Sequence, residues 1–235
     1  MKSSHLLYVF TLIILFLSCK NRSSVKYDLV EPKPSEAITI IPDSIKVEGD
    51  LGDFSVNRQS TIDSDGVQHI TFNFSAEKPS ELKPIFISMN FPSIDINGFW
   101  NPRITVDKVN FYSTGLDAKA SRNAPILSYY NKNLQNRITI ALSDALNKSE
   151  FWGYIKEEDV NFYPRIRLFD ERMPKTTSYE ITLRIDTRPL PYYETINDVA
   201  SWWSTHSNYK PLHVPEEANE PMYSTWYSYH QSITA

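Results

Sequence analysis

The sequence predicts a mostly β chain: an antiparallel β-sandwich, then one linker helix, then a single aromatic strand. Three observations predict it. Apolar residues alternate with polar ones at period two through most of the chain. Turn signals separate those runs, with no long helical pattern among them. Late in the chain the period changes to helical spacing, and later still it returns to two.

The opening is a leader pattern. Met1-Lys2-Ser3-Ser4-His5 is a short basic start, residues 6–17 are almost unbroken apolar sequence, and Ser18-Cys19 follows at once. Such a run suits a signal h-region and is too short to span a bilayer. A small residue before a cysteine at its end looks like a bacterial lipoprotein cleavage site, although Phe16 stands where leucine is usual. Residues 1–18 are therefore expected to be a lipoprotein signal peptide, with the Cys19 thiol as the acylation point. Two or more acyl chains give stable anchoring. The expected location is an exported, membrane-anchored lipoprotein, in the periplasm or at the outer membrane and cell surface. An ordinary secretory signal with an incidental cysteine is the alternative. Cys19 is the single cysteine, so no internal disulfide forms. Residues 19–34, with Ser23, Ser24, Pro32 and Pro34, read as a flexible tether.

Residues 35–190 carry the strand pattern. Ile70, Phe72 and Phe74 alternate with Thr71 and Asn73; Ile85, Ile87, Met89 and Phe91 alternate with Phe86, Ser88 and Asn90. The same holds for Ile138, Ile140 and Leu142, for Ile166 and Leu168, and for Ile181, Leu183 and Ile185. Each run predicts a strand with one face in a core and one wetter face. The phase slips between Ile104-Val106 and Val109-Phe111, which predicts a β-bulge near Asp107-Lys108. Asp65-Gly66 and Asn97-Gly98 are turn signals. Pro189-Leu190-Pro191 then closes the sandwich. In residues 191–220, Tyr192, Ile196, Val199, Ala200 and Trp203 fall at helical spacing, with Pro191 placed in the first turn. The predicted helix runs from Tyr192 to Ser204, its aromatic face on the sandwich or on a following domain. Residues 207–220 are a polar linker. Residues 222–229 form the aromatic strand, and Ser232 to Ala235 would cap a helix. Strand then helix is the first half of a β/α unit, so the sequence is expected to stop inside a domain it has only begun.

Composition narrows the chemistry. Of 235 residues 41% are hydrophobic, enough for a real core, and the net charge of −4 argues against a nucleic-acid surface, which needs a basic stripe. With six glycines and neither a GxGxxG nor a GxxxxGK motif, a phosphate-cradling loop is not expected. His5, His69, His206, His213 and His230 lack metal-ligand spacing, so neither metal nor cofactor is expected. No G-x-S-x-G elbow occurs. The acidic clusters Glu157-Glu158-Asp159, Asp170-Glu171 and Glu216-Glu217 read as solvated turns or linker; they are not a facing carboxylate dyad of the kind a glycosidase needs, because adjacent residues on a strand point to opposite faces. Arg165 and Arg167 alternate beside Tyr163 and Phe169. That pattern fits a carboxylate or sugar contact, and more often an exposed strand face with arginine stems packed on aromatics.

The run Ser224-Thr225-Trp226-Tyr227-Ser228-Tyr229, with Thr234 and Ala235 at the following helix start, resembles the first barrel strand of α-galactosidases of glycoside hydrolase family 36. Ser143-Asp144-Ala145-Leu146-Asn147, Asp186-Thr187-Arg188 and Ser201-Trp202-Trp203 resemble the Bacteroidetes branch of that family. The resemblance covers roughly residues 35–235. It implies an N-terminal β-sandwich followed by a (β/α)8 barrel, of which residues 221–235 would be the start. It implies an α-galactoside as the carbohydrate partner and two catalytic aspartates on later barrel strands, so no catalytic residue is assigned in this sequence. It implies that Trp226 lines the sugar subsite at the barrel's C-terminal end, with Tyr227 and Tyr229 beside it. Plain core packing is the other reading of Trp226. Trp100, in Gly98-Phe99-Trp100-Asn101-Pro102, is a further sugar-contact candidate if it lies on a loop that closes over the barrel.

Two functions follow as expectations. One is the non-catalytic N-terminal portion of an α-galactosidase-like hydrolase. The other is a self-sufficient β-sandwich lipoprotein that binds carbohydrate or a protein partner.

Overall fold

The computed structural model describes residues 37–41, 44–102, 124–156, 158–206, 209 and 213–219, and the backbone of 113–118. All fall within the compact unit Glu36–Ala235. The chain is mostly β. Its strands are β1 (Lys46–Gly49), β2 (Ser55–Ile62), β3 (Gln68–Ser80), β4 (Ile85–Ser88), β5 (Phe91–Pro92), β6 (Gly98–Trp100), β7 (Ser113–Ala118), β8 (Ile126–Tyr130), β9 (Asn136–Leu142), β10 (Ser149–Lys156), β11 (Asn161–Leu168) and β12 (Thr176–Asp186). One helix, α1 (Tyr192–Ser204), follows, and then a 3-10 turn at Glu216–Asn219.

The strands form two sheets. The first runs β1-β4-β11-β10-β7, with β5 also paired to β11; the second runs β2-β3-β12-β9-β8-β6. Every strand pairing among the described residues is antiparallel. The alternation seen in the sequence explains this arrangement. Phe72, Phe74, Ile181, Leu183 and Ile185 of the second sheet and Ile85, Ile87, Phe151, Ile166 and Leu168 of the first are buried in one shared cluster. Each such side chain contributes roughly 1.5–3 kcal/mol when fully buried. The Tyr129 ring of β8 reaches across to Phe162 of β11, with centroids 4.7 Å apart.

Several details correct the sequence expectations. β9 is buried on both faces, Thr139 and Ala141 included, because α1 lies over its outer side. Arg184 and Asp186 of β12 are buried for the same reason. The Asp65-Gly66 turn stands between β2 and β3: Asp63 Oδ1 accepts from the N–H groups of Asp65 (3.0 Å) and Val67 (2.9 Å), and Gly66 takes φ +88°. Asn97-Gly98 behaves differently. The positive φ in that loop belongs to Asp95 (59°), while Gly98 opens β6. A side chain at Gly98 would meet the Tyr130 ring at 2.6 Å, so close approach is what requires glycine there.

The helix bounds match the expectation. Pro191 is the residue before the helix, at φ −51° and ψ 131°, rather than inside its first turn. The buried face carries Thr195 and Val199, whereas Ala200 is exposed. The expected bulge at Asp107-Lys108 and the aromatic strand at 222–229 lie outside the described residues. So do the signal peptide and tether. No helix among the described residues is long and apolar enough to cross a membrane.

Candidate functional site

Two regions gather the chemistry-bearing side chains. The first is the outer face of the second sheet, under α1. Helical spacing puts Thr195, Ile196, Val199, Trp202 and Trp203 on one side of the helix. Val199 packs with Ile126 and Ala141, and Trp100 and Trp203 border that cluster. Trp203 Nε1 donates to the Leu142 carbonyl at 2.8 Å. Thr139 Oγ1 lies 2.8 Å from Ser128 Oγ, from Asn136 Oδ1 and from Thr195 Oγ1, so this buried polar group is satisfied across the helix–sheet seam. Beyond the helix, Tyr209 donates its hydroxyl to the Ser143 carbonyl and accepts from the Ala145 N–H, both at 2.7 Å.

A charged clip closes the same seam. Asp186, fully buried, accepts from Arg188 Nε at 3.0 Å and Nη2 at 2.6 Å, and from Arg184 Nη2 at 3.3 Å. Arg188 Nη2 also reaches Asp198 of α1 at 2.5 Å. Its hydrogen bond to Asp186 holds the Arg188 guanidinium charged, well above its ordinary range. Burial pulls Arg184 the other way, below its usual value, with Asp186 opposing.

The second region is the outer face of the first sheet. β10 and β11 pair Trp152 with Arg165 and Tyr154 with Tyr163. The two tyrosine rings lie nearly parallel, 5.5 Å apart with 14° between planes. Phe86 of β4 sits 5.8 Å from Trp152. Two cations cover rings: Lys156 lies 4.2 Å from the Tyr163 centroid and Arg165 4.1 Å from that of Phe86. Glu48 of β1 accepts from Ser88 Oγ at 2.7 Å and Arg165 Nη2 at 3.1 Å. The Tyr163 hydroxyl donates to Asp159, a bond that raises the Tyr163 pKa and lowers that of Asp159. Glu48, Ser88, Tyr154, Lys156, Tyr163 and Arg165, with Ser44, Lys46 and Asn90, line a groove of about 340 Å³, at the low end of small-ligand sites. Trp152 flanks this groove, directly across the strand pair from Arg165.

The structure places the sequence candidates as follows. Trp100 lies on β6, half-buried beside the α1 cluster, and not on a loop. Trp226, Tyr227, Tyr229 and Cys19 lie outside the described residues. Arg165 and Arg167 do share an outer face. Arg165 packs on Phe86, and Arg167 pairs with Asp170 at 2.6 Å and with Glu150 at 3.6 Å. His69 binds Asp63 at 3.2 Å, and His206 Nδ1 lies 3.0 Å from the Trp202 carbonyl. Among the described residues no group of three His, Cys, Asp or Glu side chains is arranged to hold a metal ion. Sequence reasoning missed Trp152, Tyr154 and Lys156. The signal was present, since all three occupy alternate positions of one strand, on the side opposite Phe151 and Ile155.

No protein-family model matches the chain. No curated protein matches it either.

Proposed function

We propose that this chain is the non-catalytic N-terminal portion of an α-galactosidase-like glycoside hydrolase: a β-sandwich and linker helix that precede the opening strand of a (β/α)8 barrel, exported and lipid-anchored through Cys19. The observation that supports it best is α1. It follows the two sheets directly and is fastened to them by Trp203, Thr195 and the Asp186–Arg188–Asp198 clip. A linker helix fixed in this way gives a following domain a rigid base. In this reading Trp226 stacks on the apolar C–H face of galactose, with Tyr227 and Tyr229 beside it, and Trp100 bears on sugar only through the part left exposed beside α1. The catalytic carboxylates come from later barrel strands. The groove on the first sheet fits a non-catalytic role, since its lining holds one carboxylate, Glu48, while glycoside hydrolysis needs two, roughly 5–9.5 Å apart.

The test is hydrolysis of an aryl α-galactoside. The purified 235-residue chain should show no turnover above background, and a version extended through a complete barrel should show it. Turnover by the shorter chain, abolished by replacing one of its own carboxylates, would overturn the reading. One observation favours the second reading, a self-sufficient lipoprotein that binds carbohydrate or a protein partner: the aromatic groove on the first sheet.

A further inference from the structure

We propose that the groove on the outer face of the first sheet binds an acidic saccharide, with a sugar ring laid on Trp152 and Tyr154 and its carboxylate or sulfate ester held by Lys46 and Lys156. The inference is independent of whether the chain belongs to an α-galactosidase.

The rings come first. Trp152 and Tyr154 are 37% and 42% exposed, on a strand that turns Phe151, Gly153 and Ile155 the other way. Neighbouring rings are already occupied, Phe86 by Arg165 and Tyr163 by Lys156. Trp152 and Tyr154 have no cation over them among the described residues. Part-exposed aromatic rings rimmed by hydrogen-bonding groups suit a sugar, whose C–H face stacks while its hydroxyls reach the rim.

The surface is also pre-organised. Asp159 fixes the Tyr163 hydroxyl, and Tyr163 lies against Tyr154. Glu48 is held from two sides by Ser88 and Arg165. A ligand therefore meets side chains whose rotamers are set before it arrives, which lowers the entropy cost of binding. The Tyr154 hydroxyl has no hydrogen-bond partner, and Lys46 no ion pair, among the described residues. Both remain available to a ligand.

Charge selects the class. The groove sets Lys46, Lys156 and Arg165 against Glu48, on a chain whose net charge is −4. A cationic concavity on an acidic protein concentrates an anion there and repels it elsewhere. Arg165 is neutralised by Glu48 at 3.1 Å, and Asp159, bonded to Tyr163, draws on the charge of Lys156, so Lys46 is the principal cation to meet the acid group, with Lys156 beside it. Ser44, Ser88 and Asn90 in the lining supply partners for sugar hydroxyls. A single-stranded nucleic acid would also stack and pair. It needs a basic track that follows its backbone, and two lysines at one groove do not make one.

The test is affinity electrophoresis of the purified chain in gels holding polygalacturonate, dextran sulfate or neutral galactomannan, with titration of a single-stranded oligonucleotide alongside. Retardation by polygalacturonate, by dextran sulfate or by both supports the proposal, and the pattern assigns the acid as carboxylate or sulfate. Retardation should weaken with added salt. Trp152→Ala and Lys46→Ala, on different strands, should each weaken binding by about tenfold, with unchanged circular dichroism. Equal retardation by galactomannan, tighter binding of the oligonucleotide, no retardation at all, or full binding by both variants would each overturn it.

Discussion

Replacing Asp186 with alanine should be among the most damaging single changes in the chain. The carboxylate is fully buried and accepts from both Arg184 and Arg188. Without it the Arg184 side chain, 5% exposed, is left as a buried cation with no ion pair among the described residues, and Asp198 and Asp63 act on it only from farther off. Breaking a buried pair in this way costs about 3–5 kcal/mol, mostly the cost of the stranded charge. Asp198→Ala is the matched control. It removes the other acid that Arg188 contacts, but Asp198 is 44% exposed, and an exposed pair contributes about 0.2–1 kcal/mol. In urea unfolding, with a slope near the top of the usual range of about 1–3 kcal/mol per molar, Asp186→Ala should lower the midpoint by roughly 1–2 M. Asp198→Ala should lower it by no more than about 0.3 M on the same slope. Near-equal midpoints for the two variants would refute the reasoning. They would mean that the clip joins helix to sheet without depending on burial of its central charge.

Two further outcomes test other elements. Gly98→Ala places a methyl group 2.6 Å from the Tyr130 ring, which is itself stacked on Tyr192 at 4.4 Å; overpacking of this kind costs about 1–3 kcal/mol, read as a lower unfolding midpoint, and an unchanged midpoint would show that the ring moves freely. Cys19→Ala should release the protein from membranes in a fractionation assay, and a variant that stays bound would sink the lipoprotein reading.

The strands were legible because period-two alternation and a shared core are the same fact seen twice: Ile85 and Ile87, or Ile181 and Leu183, can alternate only if one face is buried. The helix bounds were legible for a similar reason, with proline before the first turn and apolar residues at helical spacing. What the helix covers was not. Thr139, Arg184 and Asp186 stand at the polar positions of their strands, and the usual inference from that pattern is a wet face. Their burial depends on a helix that docks from elsewhere in the chain and brings Asp198 and Thr195 with it. Thr195 took a core position that the pattern assigns to apolar residues, because Thr139 and the Tyr192 carbonyl satisfy its hydroxyl.

β10 gives the opposite lesson, and it bears on function. In this strand glycine is buried at position 153 while Trp152 and Tyr154 on either side face outward. Packing alone favours the reverse, since burying a large aromatic side chain is worth roughly 1.5–3 kcal/mol and a glycine offers nothing comparable. The outward rings are not exposed for want of a core to fill, because Phe151 and Ile155 of the same strand do pack into or against it. The inversion is local to the groove: Tyr154 lines it, Lys156 next in phase lines it too, and Trp152 flanks it across from Arg165. Trp152-Gly153-Tyr154-Ile155-Lys156 carries the inversion in its own order of large, small and charged residues. A strand that forgoes core burial at its largest side chains, and sets a cation beside them, has the arrangement that the proposed saccharide site requires.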